Sequence, residues 1–146
     1  MKSNFLLSMF ILLLSCQKTE TTKSTKELVK GVWKATAMRT EYYNAANVKV
    51  YEEPVHQTES TITITDKYIT FANPGSKGTY KLEENKGKKY IYASPPDGEP
   101  PQPYEINTLT ESGMTWLMDL PKYTYSEKGV KKLAAKCCIR IDFQRQ

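Results

Sequence analysis

The chain has 146 residues, enough for one domain, and its hydrophobic and charged fractions of 39% and 25% are those of an ordinary globular protein. These values exclude a disordered or collagenous chain. The formal charge of +5 comes from lysines scattered along the sequence rather than gathered between aromatic residues, so we expect a solvated surface and no nucleic-acid partner.

The N-terminal segment predicts export and lipid attachment. Lys2 precedes an apolar run, Phe5 to Leu14, that has the length of a signal peptide and is too short to span a bilayer. The run ends in Leu13-Leu14-Ser15-Cys16, which resembles the lipobox of bacterial lipoproteins. This resemblance implies that residues 1–15 are a signal peptide and that Cys16 carries the lipid that anchors the protein to a membrane. Gln17 is not the aspartate that retains many such lipoproteins at the inner membrane, so the resemblance favours the outer membrane, on its periplasmic or surface-exposed face.

Residues 16–26 are polar and predict a flexible tether, and residues 27–146 predict one folded domain. A short helical turn near Lys26 to Lys30 is expected before the first strand. Beyond it, period-two alternation such as Thr61-Ile62-Thr63-Ile64-Thr65 indicates β-structure. The alternation predicts eight strands, at residues 32–42, 58–65, 68–72, 78–83, 88–93, 103–109, 113–120 and 136–145.

The lengths of the predicted connections alternate. The first, third, fifth and seventh connections are long, at residues 43–57, 73–77, 94–102 and 121–135, and those between them are short. In an up-and-down meander this pattern places all the long loops at one end. Eight strands with one apolar face close most simply into an antiparallel β-barrel, and a two-sheet β-sandwich is the alternative.

The first strand opens with Gly31-Val32-Trp33, which matches the Gly-x-Trp signature of the lipocalins. The domain resembles small lipocalin-like domains of bacterial lipoproteins. The resemblance implies that Trp33 plugs the closed end of the barrel and that an arginine of the last strand, Arg145 or else Arg140, packs over it. A second lipocalin motif, Thr-Asp-Tyr, is replaced by Thr110-Glu111-Ser112-Gly113 at the corresponding turn.

The interior is predicted either to be filled by large side chains or to hold a cavity for one small ligand. Ala35 and Ala37, both expected to face inward, would leave a local hollow. Strict alternation would also turn Arg39 and Glu41 inward near the long-loop mouth. There they either form an ion pair at a solvated rim or present a cation among phenols, which suits a carboxylate or amphipathic ligand. The predicted ligand-binding residues are Arg39, Tyr80, Tyr92, Tyr104 and Met118.

Other chemistry is sparse in the sequence. The single histidine, His56, has no partners at metal-ligand spacing, so we expect no metal and no cofactor. No nucleophile motif is evident, and we expect no enzymatic activity. Cys137 and Cys138 are neighbours in a strand and should point to opposite faces, the first buried, the second outward, and both free. The segment Pro95 to Pro103 predicts a stiff loop, which is either a hairpin connection or a protein-binding edge.

Two functions are compatible with these features. The first is non-enzymatic binding of a small apolar or amphipathic molecule at the long-loop mouth. The alternative is a packed barrel whose long loops bind a protein partner as an accessory or inhibitor. In both, the tether would enter at the Trp33 end, so the closed end would face the membrane.

Overall fold

The computed structural model describes residues 23–71, 76–94, 98 and 100–146. The predicted signal peptide and the lipidation residue Cys16 lie outside the described residues, as do residues 95–97 and 99 of the proline-rich segment. The elements, in chain order, are α1 (Thr25–Val29), β1 (Gly31–Tyr43), β2 (Lys49–Glu52), β3 (His56–Gln57), β4 (Thr61–Ile64), β5 (Tyr68–Phe71), β6 (Lys77–Asn85), β7 (Lys88–Ser94), β8 (Gln102–Leu109), β9 (Gly113–Glu127) and β10 (Val130–Arg145). Among the described residues, no helix has both the length and the apolar character needed to cross a bilayer.

Eight of these strands form a closed antiparallel barrel. From β4 to β10 each strand pairs with the next along the chain, and β1 closes the ring by pairing with β4 on one side and β10 on the other. The short strands β2 and β3 also pair with β1, beyond its contact with β4. The predicted up-and-down barrel is therefore confirmed, and the two-sheet alternative is wrong.

The alternation predicted from sequence holds in the short strands of the barrel. Ile62 and Ile64 of β4 are buried, whereas the threonines between and before them are half-buried. Ile69 of β5 and Ile91 of β7 are fully buried on the same interior face. Together with Trp33, Trp116 and Phe143 they belong to one hydrophobic core.

Helix α1 and three tight turns cover one end of the barrel. Ser24 caps the helix through a reciprocal pair of hydrogen bonds with Glu27, and Val29 is buried in the core. Trp33 is fully buried, and its indole nitrogen donates to the Val29 carbonyl oxygen at 2.8 Å. The helix thus begins inside the segment predicted as tether, because its cap and its buried valine attach it to the barrel.

Arg145 lies across this closed end, with its guanidinium 4.2 Å from the ring centre of Trp33. The guanidinium donates hydrogen bonds to the carbonyl oxygens of Leu28, Lys30 and Glu111, which belong to the helix, the helix–strand junction and the β8–β9 turn. Glycine is required at position 31, beneath the guanidinium, for two reasons. A Cβ there would lie 2.2 Å from Arg145 Nη1, and the φ of +141° is one that side-chain-bearing residues rarely adopt.

A β-bulge at Thr36 interrupts the alternation of β1. Ala35 is opposite Phe143 of β10, whereas Ala37 is opposite Asp142, so Thr36 is the extra residue. From Met38 onward the residues that face inward are therefore the even-numbered ones. The expectation that Ala37, Arg39 and Glu41 face the interior is wrong for this reason.

The segment 121–135 is not a loop, as was predicted, but the outer half of a long hairpin. Strands β9 and β10 pair in one unbroken register from Gly113 and Gln144 to Glu127 and Val130, and turn at Lys128-Gly129. Pro121 suggested a chain break. It is tolerated because β8 pairs with β9 only as far as Leu117, so that beyond this point β9 has a free edge where no N–H is needed.

A second hydrophobic cluster lies at the end of the barrel opposite Trp33. We call it the tyrosine cluster: Tyr42 of β1, Tyr51 of β2, and Tyr123 and Tyr125 of β9. Tyr51 and Tyr125 stack at 4.9 Å between ring centres, and Tyr42 lies 4.8 Å from Tyr125. Cys137 is fully buried beside them. The two predicted loops at this end, 43–57 and 121–135, thus build a small core of their own.

Candidate functional site

The interior of the barrel contains a cavity of about 210 Å³ between the closed end and the tyrosine cluster. The strands that line it are β1, β4, β5, β8, β9 and β10, together with the segment that joins β3 to β4. The lining residues are Ala35, Met38, Thr58, Ser60, Ile62, Phe71, Tyr104, Trp116, Ile141 and Phe143. The remainder of the interior is filled by the large side chains of the core, so the described residues combine features of both predicted interiors, the filled and the hollow.

The cavity opens to solvent at the segment that joins β3 to β4. Ser60 is exposed, and Thr58, Met38 and Phe71 are partly exposed. The Ala35 amide donates to the Ser60 carbonyl oxygen at 2.7 Å, which attaches this edge to β1 just before the bulge. The opening therefore lies beside the start of β4 and the end of β5, which adjoin the predicted long connections 43–57 and 73–77.

Aromatic rings form the deeper wall. Trp116 is 2% exposed, and its ring lies 5.0 Å from Tyr104 and 4.9 Å from Phe143 between ring centres. Its indole nitrogen is buried, and none of the described residues accepts a hydrogen bond from it. Burial raises the pKa of Tyr104, so its phenol stays protonated at neutral pH and adds no charge. The deeper wall therefore presents mainly apolar aromatic surface, since the indole nitrogen of Trp116 is itself buried.

No Asp, Glu, Lys or Arg is among the described residues that line the cavity. A bound ionised group would lose its hydration without gaining an opposite charge. The arrangement can therefore hold a neutral, mostly apolar molecule. A carboxylate ligand, which the sequence suggested on the basis of Arg39, finds no counter-charge here.

Of the five predicted ligand-binding residues, only Tyr104 lines the cavity. Arg39 is exposed on the outer face, opposite Arg140 of β10, because the bulge at Thr36 reverses which face of β1 each residue lies on. Tyr92 is also on the outer face, since its neighbours Ile91 and Ala93 are the buried residues of β7.

Tyr80 and Met118 face inward but lie away from the cavity. The Tyr80 phenol donates to the Thr65 carbonyl oxygen at 2.7 Å, so it points to a turn at the closed end. Burial raises the pKa of this phenol. Met118 pairs with Ile139, which packs against the tyrosine cluster.

Glu41, also predicted to face inward, belongs to a surface network. Its carboxylate accepts hydrogen bonds from the Tyr43 phenol at 2.7 Å and from Lys49 Nζ at 3.1 Å. The hydrogen bond from Tyr43 is the main reason that the pKa of Glu41 is lowered, and it raises the pKa of Tyr43 to about 12. This network fixes the start of β2 against β1 and does not reach the cavity.

The cavity residues that sequence reasoning did not assign to ligand binding are mainly those around the opening: Met38, Thr58 and Ser60. Met38 could not be assigned because the bulge that turns it inward leaves no mark in the hydrophobic pattern. Thr58 and Ser60 are polar residues at the start of a predicted strand. The β4–β5 hairpin places Ser60 near Phe71, and only closure of the barrel brings this edge to the same cavity as Tyr104.

The remaining candidate groups lie apart from the cavity. His56 is exposed on β3. Cys137 and Cys138 are both free, the first fully buried and the second partly exposed on the opposite face. Within the described ranges, no three His, Cys, Asp or Glu side chains are placed to hold a metal ion.

No family model, curated protein or solved structure matches this chain. The likeness to lipocalins therefore depends on features of the chain itself: the Gly31-Val32-Trp33 opening of β1, Arg145 over the Trp33 ring, and the closed eight-stranded barrel.

Proposed function

We propose that this protein is a lipid-anchored lipocalin-like lipoprotein that binds a small, mostly apolar molecule inside its barrel, without enzymatic activity. The observation that carries the proposal is the apolar cavity of about 210 Å³ with an opening in the barrel wall. An apolar cavity of about 150 Å³ in another protein takes up benzene, so this volume suits a single ring with a small substituent or a short chain.

The location of the protein follows from the lipobox in the sequence. We propose that Cys16 carries lipid and that the domain is held at the outer membrane. Labelling with a radioactive fatty acid tests this, since Cys16→Ser should remove the label and block processing. Normal maturation of Cys16→Ser would contradict it.

Filling the cavity tests the binding proposal. Ala35 is 3% exposed and lines the cavity, whereas Ala37 is on the outer face two residues away. Ala35→Leu should abolish the rise in melting temperature that small aromatic probes such as toluene produce, because the added methyl groups occupy the space. Ala37→Leu is the matched control and should keep the full response.

Two results of this comparison would contradict the binding proposal. An equal response in Ala35→Leu and the parent would mean that the probe binds elsewhere. No response in the parent to any small apolar probe would mean that the cavity takes no ligand. Where the parent does respond, native mass spectrometry of the protein purified from its own cells would identify a retained molecule by its mass.

The alternative function is protein binding through the outer half of the β9–β10 hairpin. Leu133 is 71% exposed, Val130 58% and Tyr123 43%, so apolar side chains face solvent on the element farthest from the closed end. A photo-crosslinking residue at position 133 should capture a specific protein in the intact cell, and one at Lys81 on the far wall should not. Equal or absent capture would reject this function.

A further inference from the structure

The helix and two turns at the closed end of the barrel each carry an exposed lysine. Lys26 lies on α1, Lys67 on the β4–β5 turn and Lys86 on the β6–β7 turn. Within the described part of the chain, none of the three forms an ion pair. We call them the end lysines. Their charges therefore face solvent on one end of the molecule.

The carboxylates of this end have other partners or basic neighbours. Asp66 pairs with Lys30 at 3.0 Å, which ties the end of α1 to the β4–β5 turn, and Glu111 pairs with Lys23 at 2.7 Å. The others are Glu27, which accepts hydrogen bonds in the helix cap, and Glu84, which lies opposite Lys89 of β7. The end lysines therefore add positive charge that the described carboxylates do not balance by pairing.

The predicted tether would hold this end beside a bilayer. Six residues separate Cys16, the proposed lipid site, from Lys23, the first described residue. Even a fully extended chain between them spans only about 25 Å. Lys23 pairs with Glu111 of the β8–β9 turn, so the chain enters the described domain at the closed end. The end lysines are thus the ones that the anchor would bring near lipid headgroups, whereas the lysines of the β9–β10 hairpin lie at the opposite end.

We propose that the closed end docks on an anionic lipid surface through Lys26, Lys67 and Lys86, and that this contact holds the barrel upright on its membrane. The inference rests on the proposed lipid anchor at Cys16 and adds the class of headgroup that receives the domain. One lysine near an anionic surface strengthens the contact by about fivefold, so the three favour the docked orientation on the order of a hundredfold. Lost rotational freedom of the tethered domain offsets part of this preference.

Docking in this way would determine which parts of the barrel meet the aqueous phase. The cavity opens beside the start of β4, whereas the β4–β5 turn at the other end of that strand carries Lys67. The opening and the hairpin tip at Lys128-Gly129 would therefore point away from the bilayer.

The test measures the reactivity of single lysines on the lipidated protein, purified from its own membrane and added to preformed vesicles. One set of vesicles is phosphatidylcholine alone, and the other is an equal mixture with phosphatidylglycerol. Sulfosuccinimidyl acetate modifies exposed lysines, and mass spectrometry of the peptides gives the rate at each position. The end lysines should react about tenfold more slowly on the anionic vesicles, and Lys131 of the hairpin should react equally on both. High salt should remove the difference, because it screens exposed charges.

Two matched double variants separate docking from mere closeness to the membrane. Lys67→Gln/Lys86→Gln lowers the preference for docking about twenty-five-fold, so Lys26 should regain most of its reactivity on the anionic vesicles. Lys128→Gln/Lys131→Gln removes the same charge from the hairpin and should leave Lys26 slow. Lys86 and Lys128 are closely matched, since each has a φ of 51° and precedes a glycine.

The outcomes separate the inference from the proposal beneath it. If the mass of the purified protein shows no lipid on Cys16, the proposed anchor fails and the docking inference fails with it. If the lipid is present but the end lysines react equally on both kinds of vesicle, the inference fails alone. Slowing of Lys131 in place of Lys26 would mean that the hairpin meets the membrane. A Lys26 that stays slow in Lys67→Gln/Lys86→Gln would assign its protection to the short tether, and either of these last two results would overturn the inference.

Discussion

Replacement of Gly31 by alanine should destabilise the barrel through a specific collision with Arg145. The alanine Cβ would lie 2.2 Å from Arg145 Nη1, so the guanidinium must leave its place over Trp33. The φ of +141° adds backbone strain that only glycine avoids, of about 1–3 kcal/mol. We expect a total loss of about 4 kcal/mol in the free energy of unfolding, half from strain and half from the displaced arginine.

The contribution of Arg145 can be bounded from its contacts. Its guanidinium makes a cation–π contact of about 0.5–2 kcal/mol and donates to three carbonyl oxygens. Once the arginine side chain is removed, water can hydrate some of the carbonyl oxygens that it leaves behind. Arg145→Ala should therefore lower the free energy of unfolding by about 3 kcal/mol rather than by the sum of its bonds.

A double-mutant cycle isolates the collision. In the Arg145→Ala background, Gly31→Ala should cost only its strain, about 2 kcal/mol, which leaves a coupling of about 2 kcal/mol between the two sites. The measurement is urea unfolding followed by far-ultraviolet circular dichroism. Gly87→Ala is the control, since Gly87 has a φ of +75° but no atom within 4 Å of the added Cβ, and its cost should be the same in both backgrounds. An equal cost of Gly31→Ala in both backgrounds would refute the reasoning.

Two further predictions concern the β9–β10 hairpin. Burial, the main cause, raises the pKa of Cys137 to about 11 and that of Cys138 to about 12. In a Cys16→Ser chain at pH 8, Cys137 should therefore react with iodoacetamide on the order of a hundredfold more slowly than in the urea-unfolded chain, and Cys138 on the order of a thousandfold more slowly. Rapid labelling of Cys138 would show that its thiol is accessible as thiolate and can form the intermolecular disulfide that an outward cysteine permits. Lys122 has a φ of +52°, a backbone conformation that glycine adopts more easily than lysine. Lys122→Gly should therefore raise the free energy of unfolding by about 1 kcal/mol. Lys131→Gly, within ordinary strand geometry, is the control and should lower it, and urea unfolding that shows a loss for both variants would contradict this.

The sequence was most informative where a side chain's neighbours lie close along the chain or on the adjoining strand. The alternation in β4 determines its buried face, and the turn residues between β6 and β7 determine that the chain reverses there. The position of Arg145 opposite Trp33 follows from antiparallel closure of the last strand on the first. These are consequences of strand periodicity and strand order, which a single chain displays directly.

The site itself could be predicted only in part. Tyr104 was identified because the irregularity of its strand, between Ile106 and Thr108, lies beyond it, whereas Arg39 was assigned to the wrong face because one residue, Thr36, bulges out of the ladder before it. The bulge depends on how β1 pairs with β10. The hydrophobic pattern of β1 alone does not determine which residues after Thr36 point into the barrel, the odd-numbered or the even-numbered ones.

By itself, then, the sequence determined the all-β class, the up-and-down order and the plugged end, whereas the lipid anchor at Cys16 stays a prediction. Tertiary structure decided where space remains inside. A cavity is the volume left over after strands far apart in the chain have closed on one another, so no local pattern specifies it. The same closure placed Trp116 and Tyr104 beside that space, and it brought Tyr42 together with Tyr51, Tyr123 and Tyr125, which belong to segments that look like loops when read one at a time.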